Sequence, residues 1–320
     1  MRMLLLCLCF CCLAVGANAR ASECSGPFAV GFRTLSLADG RDVSVWYPKP
    51  AASSGAGDKV KLACPRWPLV LFSHGLAGCG TQSVFITEQI ARRGYVVAAP
   101  DHRDAICGVG LLRKLPDPSN ATKPSFLDPQ LWTDAAWRDR MLDLRETLRV
   151  VLADPALGDA IDASRIGLMG HSLGGYTVIG MAGAWPGWGV AGVRAVLAFS
   201  PYVEPYVAHG RLAHLRVPVM FQDGTLDIGI ASHVVGPDGA FAQSPAPKYL
   251  VELADATHMA WTNLPCGENE TADCLAAVPN ARLVDDYAIA FLDRYLKELP
   301  APLLDGRGVG LSEYRASPSR

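Results

Sequence analysis

A chain of 320 residues, half of them hydrophobic, can bury a substantial core, and α/β chains of this size are commonly one domain. A formal net charge of -2 with no run of Lys or Arg argues against a nucleic-acid or anionic-membrane footprint and for a neutral or small organic ligand.

Residues 1–19 read as a signal peptide. Arg2 supplies a positive start, Leu4 to Val15 an apolar stretch, and Ala17-Asn18-Ala19 a small-x-small cleavage site before Arg20. The apolar stretch falls short of the roughly 20 residues a bilayer span needs, and no other segment is apolar enough, so no stable membrane anchor is expected. Export, to the periplasm or outside the cell, changes the meaning of the cysteines. Cys7, Cys9, Cys11 and Cys12 are discarded with the signal, leaving Cys24, Cys64, Cys79, Cys107, Cys266 and Cys274, an even set suited to disulfides. Among the pairings open to them, Cys266 with Cys274 is expected, then Cys79 with Cys107, then Cys24 with Cys64. No C-x-x-C pair comes with a matching His pair, so no metal site is expected.

In chain order, Phe28, Val30 and Phe32 alternate with smaller residues, and Asp42 to Tyr47 alternates again after Asp39-Gly40, which predicts an antiparallel hairpin. Pro68-Leu69-Val70-Leu71-Phe72 is a continuous apolar run, the mark of a strand buried on both faces, and it delivers Ser73-His74-Gly75-Leu76 at its carboxyl end. Ser83 to Arg93 reads as a helix ended by Gly94, and Tyr95 to Ala99 as the next buried strand, followed by Pro100-Asp101-His102-Arg103-Asp104. Gly108 to Pro129 is Pro-rich and long enough for a functional loop over a site. Trp137, Met141, Leu144, Leu148 and Val151 recur at helical spacing, a core-facing stripe. Buried strands follow at Ala195 to Phe199, Val217 to Phe221 and Tyr249 to Leu253, then a helix over Leu283 to Leu296. The alternation predicts an open, mostly parallel sheet flanked by helices, in a domain over 20–300, with 301–320 a loosely held tail.

The stretch with the clearest chemistry is Ile166-Gly167-Leu168-Met169-Gly170-His171-Ser172-Leu173-Gly174-Gly175. Strand residues run into Gly-x-Ser-x-Gly and a helix-forming segment follows, which is the context of a nucleophile elbow. A side chain two residues before or after a serine on so tight a turn would collide with neighbouring backbone, hence Gly170 and Gly174. Serine chemistry also needs a histidine to take the proton and a carboxylate to fix that imidazole, and doubly wound hydrolases supply them in the order Ser, acid, His. His258 lies just beyond a strand, in Ala254-Asp255-Ala256-Thr257-His258, unlike its competitors His214 and His233. For the acid, Asp227 comes first, after the Val217 to Phe221 strand. Asp223 and Glu204 compete with it, and Asp255 is too close to His258 along its loop. The N–H groups of Leu173 and Leu76 are the natural donors to an oxyanion. His74 and His102 read as hydrogen-bonded scaffold, and Tyr202, Trp261 and the 108–129 loop as candidate pocket walls.

Phe72-Ser73-His74-Gly75-Leu76, Ala98-Ala99-Pro100-Asp101-His102-Arg103-Asp104 and Gly170-His171-Ser172-Leu173-Gly174-Gly175 resemble motifs of one branch of the α/β hydrolases. That branch holds the platelet-activating factor acetylhydrolase-like and dienelactone hydrolase-like enzymes and includes polyester hydrolases. The resemblance covers most of the mature chain. It implies an α/β-hydrolase fold and a metal-free serine esterase without cofactor, with Ser172, Asp227 and His258 as its triad. Two departures stand out. Animal platelet-activating factor acetylhydrolases carry the acid after the earlier strand, where this chain offers only Glu204, so Asp227 is similar to the bacterial members. Dienelactone hydrolases proper use a Cys nucleophile where this chain has Ser172.

The expected function is hydrolysis of short-chain carboxylic esters through an acyl-enzyme, with a small-molecule ester as partner. A polyester or phospholipid substrate is the alternative within the enzyme class, and a hydrolase-fold binding module without turnover the alternative outside it. The sequence leaves the oligomeric state open.

Overall fold

A computed structural model of the chain describes residues 26–49, 66–106, 122–266 and 272–318. The signal peptide, Cys24, Cys64, Cys107 and most of the Gly108 to Pro129 loop expected from the sequence lie outside the described residues.

The described residues build a nine-stranded sheet. Its strands are β1 (Ala29–Ser36), β2 (Asp42–Lys49), β3 (Trp67–Ser73), β4 (Val96–Pro100), β5 (Ile161–His171), β6 (Val193–Phe199), β7 (Val219–Gly224), β8 (Lys248–Leu253) and β9 (Leu311–Ser317), in the spatial order β1-β2-β4-β3-β5-β6-β7-β8-β9. From β4 through β8 every neighbouring pair is parallel, while β1-β2, β2-β4 and β8-β9 are antiparallel. The fully buried apolar runs of β3 and β4 have helices on both faces. Leu69 and Leu71 point into a core layer with Met141, Leu144 and Val151 of α2 (Arg138–Ala153) and Leu173 and Ile179 of α3 (Leu173–Ile179). Val70 and Phe72 point the other way, toward Ile86 and Ile90 of α1 (Val84–Arg92) and Phe291 and Leu292 of the long helix Ala281–Leu296. This is the α/β-hydrolase fold with an N-terminal antiparallel hairpin.

One feature of the strand order positions the site. From β3 the chain steps outward to β4, then returns to lay β5 on the opposite side of β3. The connections leaving β3 and β5 therefore diverge, and a crevice opens at their carboxyl ends, where ligands bind in open α/β sheets. Those ends carry His74-Gly75-Leu76 and Ser172.

The C-terminal tail corrects the sequence reading. Rather than being loosely held, it forms β9, whose register runs from Lys248 opposite Ser317 to Leu253 opposite Leu311. The physical reason lies in β8, whose edge would otherwise expose a row of unpaired backbone groups. Nothing within the polar run Ser312-Glu313-Tyr314-Arg315 signals that partner. Truncation after Gly308 is expected to lower the Tm by about 5 °C or more and to promote aggregation. An unchanged melting curve and monodisperse truncated protein would contradict this role for β9.

Candidate active site

The elbow forms where β5 meets α3. Ser172 sits between them at φ 55 and ψ -118, a backbone region disfavoured for L residues. Its own backbone groups hold it there: the N–H donates to the Phe199 carbonyl at 3.0 Å, and the carbonyl accepts from Tyr176 and Tyr202, each at 3.1 Å. A Cβ at Gly170 would overlap the Gly174 carbonyl, and one at Gly174 would overlap the Ser73 carbonyl, so β5, α3 and the end of β3 meet with no room for side chains.

The two strand-end loops downstream converge on Ser172. After β7, the Asp227 N–H closes a turn onto the Gly224 carbonyl at 3.0 Å, and the Leu226 N–H donates to Ala256 in the loop beyond β8 at 2.9 Å. The loops carrying Asp227 and His258 are thus bonded to each other. His258 opens a short 3-10 turn, His258–Trp261. Its Nε2 lies 2.9 Å from Ser172 Oγ, and its Nδ1 lies 3.0 and 3.1 Å from the two Asp227 carboxylate oxygens. Asp227 is buried, while the His258 side chain is 29% exposed, so one end of the array is sealed and the other open.

The other candidates fall elsewhere. Glu204 begins a short helix, Glu204–Ala208, and its carboxylate faces His233 at 3.6 Å. Asp255 sits at φ 56 in the loop before His258, with its N–H on Thr225 Oγ1. Asp223 is buried beside Asp227. The Gly224 N–H donates to its Oδ1 at 2.8 Å, while Oδ2 has no hydrogen-bond partner among the described residues. Burial and the neighbouring Asp227 charge push the Asp223 carboxyl up to about 8, so at neutral pH it keeps its proton.

Leu173 is the first residue of α3, so its N–H has no partner within the helix. Leu76 follows Gly75, whose missing Cβ would lie 3.4 Å from Ser172 Cβ. The Gly75 loop thus lies against the residue that precedes α3. His74 and His102 are scaffold, as read from the sequence. His74 Nδ1 donates to the Gly75 carbonyl at 2.7 Å and its Nε2 accepts the His102 N–H at 3.0 Å, while His102 bridges Asp143 at 2.9 Å and Ser73 Oγ at 2.8 Å. Burial holds both imidazoles below the usual histidine range. Of the aromatics expected as pocket walls, Trp261 and Tyr202 are both buried. Trp261 is fully buried with its indole N–H on Gln222 Oε1, and Tyr202 packs edge-on against Phe126 with its hydroxyl on the Phe126 carbonyl. Each indole or phenol found a polar partner inside, which is what lets an aromatic of this size be buried.

Three site residues escape sequence reasoning. Ser200, at φ 41 just beyond β6, donates from its hydroxyl to Asp227 Oδ2 and lies 2.6 Å from His258 Nδ1. Gln82 accepts the Gly75 N–H on Oε1 at 3.0 Å and donates from Nε2 to His171 Nδ1 at 3.1 Å. His171, the variable residue of the elbow, passes this on by donating from Nε2 to the His258 carbonyl at 2.8 Å. Burial, with the His258 charge second, pushes its imidazole down to about 3, so it stays neutral and keeps this tautomer. In Ser200-Pro201-Tyr202-Val203-Glu204 the sequence marks the strand end through its acidic residue, while the contact with Asp227 is made by its serine.

The Cys266–Cys274 disulfide expected from the sequence is present, with Cα atoms 5.8 Å apart, and it closes the loop after His258. Cys79 is also disulfide-bonded. Among the described residues no group of three or more His, Cys, Asp or Glu is arranged to hold a metal ion, and no helix is long and apolar enough to cross a membrane.

Asp223 makes the site sensitive to pH in a definite direction. Its folded pKa stands above its unfolded value, so between about pH 4 and about pH 8 the native state binds the extra proton and stability falls as pH rises. Asp223→Asn removes that slope. The Tm of the wild type relative to the variant is expected to decline steadily from about pH 5 to about pH 8; parallel Tm curves would show that Asp223 titrates normally.

Residues 22–127 match the family model of platelet-activating factor acetylhydrolase, isoform II, a span that includes the Ser73-His74-Gly75-Leu76 loop and ends before the elbow. Cutinase 2 of Thermobifida cellulosilytica is 24% identical over 306 residues, covering 92% of this chain and 92% of its own. Cutinase cut1 of Thermobifida fusca is 24% identical, covering 92% of this chain and 75% of its own. The platelet-activating factor acetylhydrolase of Gallus gallus is 27% identical over 150 residues, covering 36% of this chain and 35% of its own. The sheet order and the elbow give the chain the α/β-hydrolase fold, and these likenesses make it similar to proteins of the platelet-activating factor acetylhydrolase-like branch.

Proposed function

We propose that the chain is an exported serine hydrolase of carboxylic esters, with short-chain esters as its substrates. Residues 1–19 are its signal peptide, and the catalytic domain begins at residue 20. The observation that carries this reading is the continuous contact from Ser172 Oγ through His258 to Asp227.

The chemistry follows from the geometry. His258 Nε2 takes the Ser172 proton as Oγ bonds to the ester carbonyl carbon. The carbonyl electron pair moves onto oxygen, where the Leu76 and Leu173 N–H groups receive it. His258 then gives the proton to the departing alkoxide as the C–O bond breaks, leaving an acyl-serine. Water attacks that acyl group, again losing its proton to His258 Nε2, and Ser172 regains a proton as the carboxylic acid leaves. Asp227 keeps the Nδ1 proton in place and favours the transient imidazolium, and each oxyanion donor contributes about 3 kcal/mol of barrier lowering.

A fluorophosphonate probe is expected to label Ser172, and Ser172→Ala to lose both labelling and ester turnover. Wild-type turnover in that variant would end the serine reading, whereas a wild type that neither reacts nor turns over would favour a binding module. Asp227→Asn is expected to cut kcat by about 10³-fold or more, while Glu204→Gln stays within about twofold.

A second reading, an ester presented by a polymer or lipid surface, is favoured by one observation. Leu76, Ile106, Leu226, Ile228, Met259 and Leu264 are exposed, and each lies on a loop leaving the carboxyl ends of β3, β4, β7 or β8, around Ser172. Exposed apolar side chains gathered on these loops suit an apolar partner. Turnover of p-nitrophenyl esters decides between the readings. Short-chain chemistry gives rates that fall steadily from acetate to palmitate, and a surface enzyme gives a jump in rate once the longer esters form micelles.

A further inference from the structure

The oxyanion loop is held from below by a buried cation. Arg140, in the first turn of α2, is fully buried, and its Nη2 donates to the His74 carbonyl at 2.7 Å and the Gly75 carbonyl at 3.3 Å. Its Nε stands 3.6 Å from Asp104 Oδ1, and neither Nε nor Nη1 makes a hydrogen bond among the described residues. Asp104 Oδ2 in turn accepts the Ala77 N–H at 3.1 Å. Arg140 and Asp104 thus clasp the turn from Gly75 to Gly78 at both of its inner faces.

Stability alone explains this poorly. Taking a guanidinium out of water costs heavily, and the cost is offset only when its donors are well satisfied, yet here one of three nitrogens makes both hydrogen bonds. Apolar side chains of similar volume in place of the whole Arg140–Asp104 pair would often be as stable or more so.

The geometry of the peptide unit offers another use. The Gly75 carbonyl and the Leu76 N–H belong to one planar trans peptide, so they point in opposite directions. The carbonyl is drawn inward by three donors, Arg140 Nη2, His74 Nδ1 and the Gly78 N–H. The Leu76 N–H is therefore directed outward, and among the described residues no acceptor takes it. The loop that carries it packs against Ser172, since a Cβ on Gly75 would come within 3.4 Å of the Ser172 Cβ. A positive charge on the carbonyl end of this peptide also polarises it in the sense that strengthens the N–H as a donor.

We propose that Arg140 is a positioning residue for the oxyanion hole, fixing the Gly75–Leu76 peptide in the orientation that offers its N–H to the developing negative oxygen. This rests on the esterase reading above. Its signature is a loss in kcat without a matching loss in KM, because the hydrogen bond strengthens only as the carbonyl becomes an oxyanion.

The test uses Arg140→Gln, Arg140→Lys and Asp104→Asn, with p-nitrophenyl butanoate as substrate and butylboronic acid as a probe whose boronate oxygen occupies the oxyanion position. Rates are taken per site titrated to completion with a fluorophosphonate, so that unfolded protein does not count. Arg140→Gln is expected to lower kcat by about 100-fold, with KM within about twofold and boronate affinity lost by the same factor as kcat. Arg140→Lys, which keeps the charge but not the fork, is expected to recover part of that loss, and Asp104→Asn to lose about tenfold. If kcat per titrated site and boronate affinity stay at wild-type values in the variants that fold, while the Tm falls, Arg140 is a structural brace and the proposal is wrong. If the wild type itself neither titrates nor turns over, the esterase reading fails and the proposal falls with it, a result distinct from the first.

Discussion

The tight backbone contact between the end of β3, the end of β5 and the start of α3 is the constraint on which the rest of the site depends. A Cβ at Gly170 or Gly174 would occupy the same space as a carbonyl of its neighbour, and Ser172 is held at a positive φ by bonds to Phe199, Tyr176 and Tyr202. Strain of this kind persists only where surrounding structure over-determines it. Its effect is to raise a hydroxyl off the sheet edge at the strand crossing where the crevice opens. The same closeness sets the first turn of α3 and the Gly75 loop side by side, so Ser172 and the proposed oxyanion donors are positioned by a single packing event.

Around that elbow, three loops from distant parts of the chain are joined by one hydrogen-bond relay. It runs from the Gly75 N–H through the Gln82 amide and the His171 imidazole to the His258 carbonyl. The relay has direction, because Gln82 accepts at Oε1 and donates at Nε2, which leaves His171 a proton only on the nitrogen facing His258. Asn263 adds a second seam, donating its N–H to the Gln82 carbonyl at 2.7 Å and accepting the Val84 N–H at 2.9 Å. With Trp261 anchored on Gln222 and the Cys266–Cys274 bridge beyond it, the loop carrying His258 has little freedom to swing away from Ser172. Such placement is what the proposed proton transfer over 2.9 Å requires.

Charge is distributed with the same economy. Beside Asp227, burial pushes the Asp223 carboxyl up and keeps it protonated at neutral pH, and Ser200 gives the Asp227 carboxyl a donor inside the protein. The imidazoles of His74, His102 and His171 are all held neutral by burial, which leaves them to act through fixed hydrogen bonds. Beneath the Gly75 loop, by contrast, Arg140 brings a full positive charge into the interior, close to where negative charge would develop on a substrate.

By itself the amino-acid sequence determined what is local: continuous apolar runs that must be strands buried on both faces, the Gly-x-Ser-x-Gly spacing that only a sharp turn explains, and the placement of Asp227 and His258 just past strand ends. Tertiary packing decided what depends on separation in space. Glu204 and Asp227 both follow strands, and only the direction each loop takes sends one to His233 and the other to His258. Ser200, Gln82 and Arg140 carry no motif, because their roles come from partners tens of residues away whose distances no periodicity encodes. The strand status of Leu311–Ser317 was likewise illegible in its own residues, since a polar edge strand exists only through the neighbour that pairs with it.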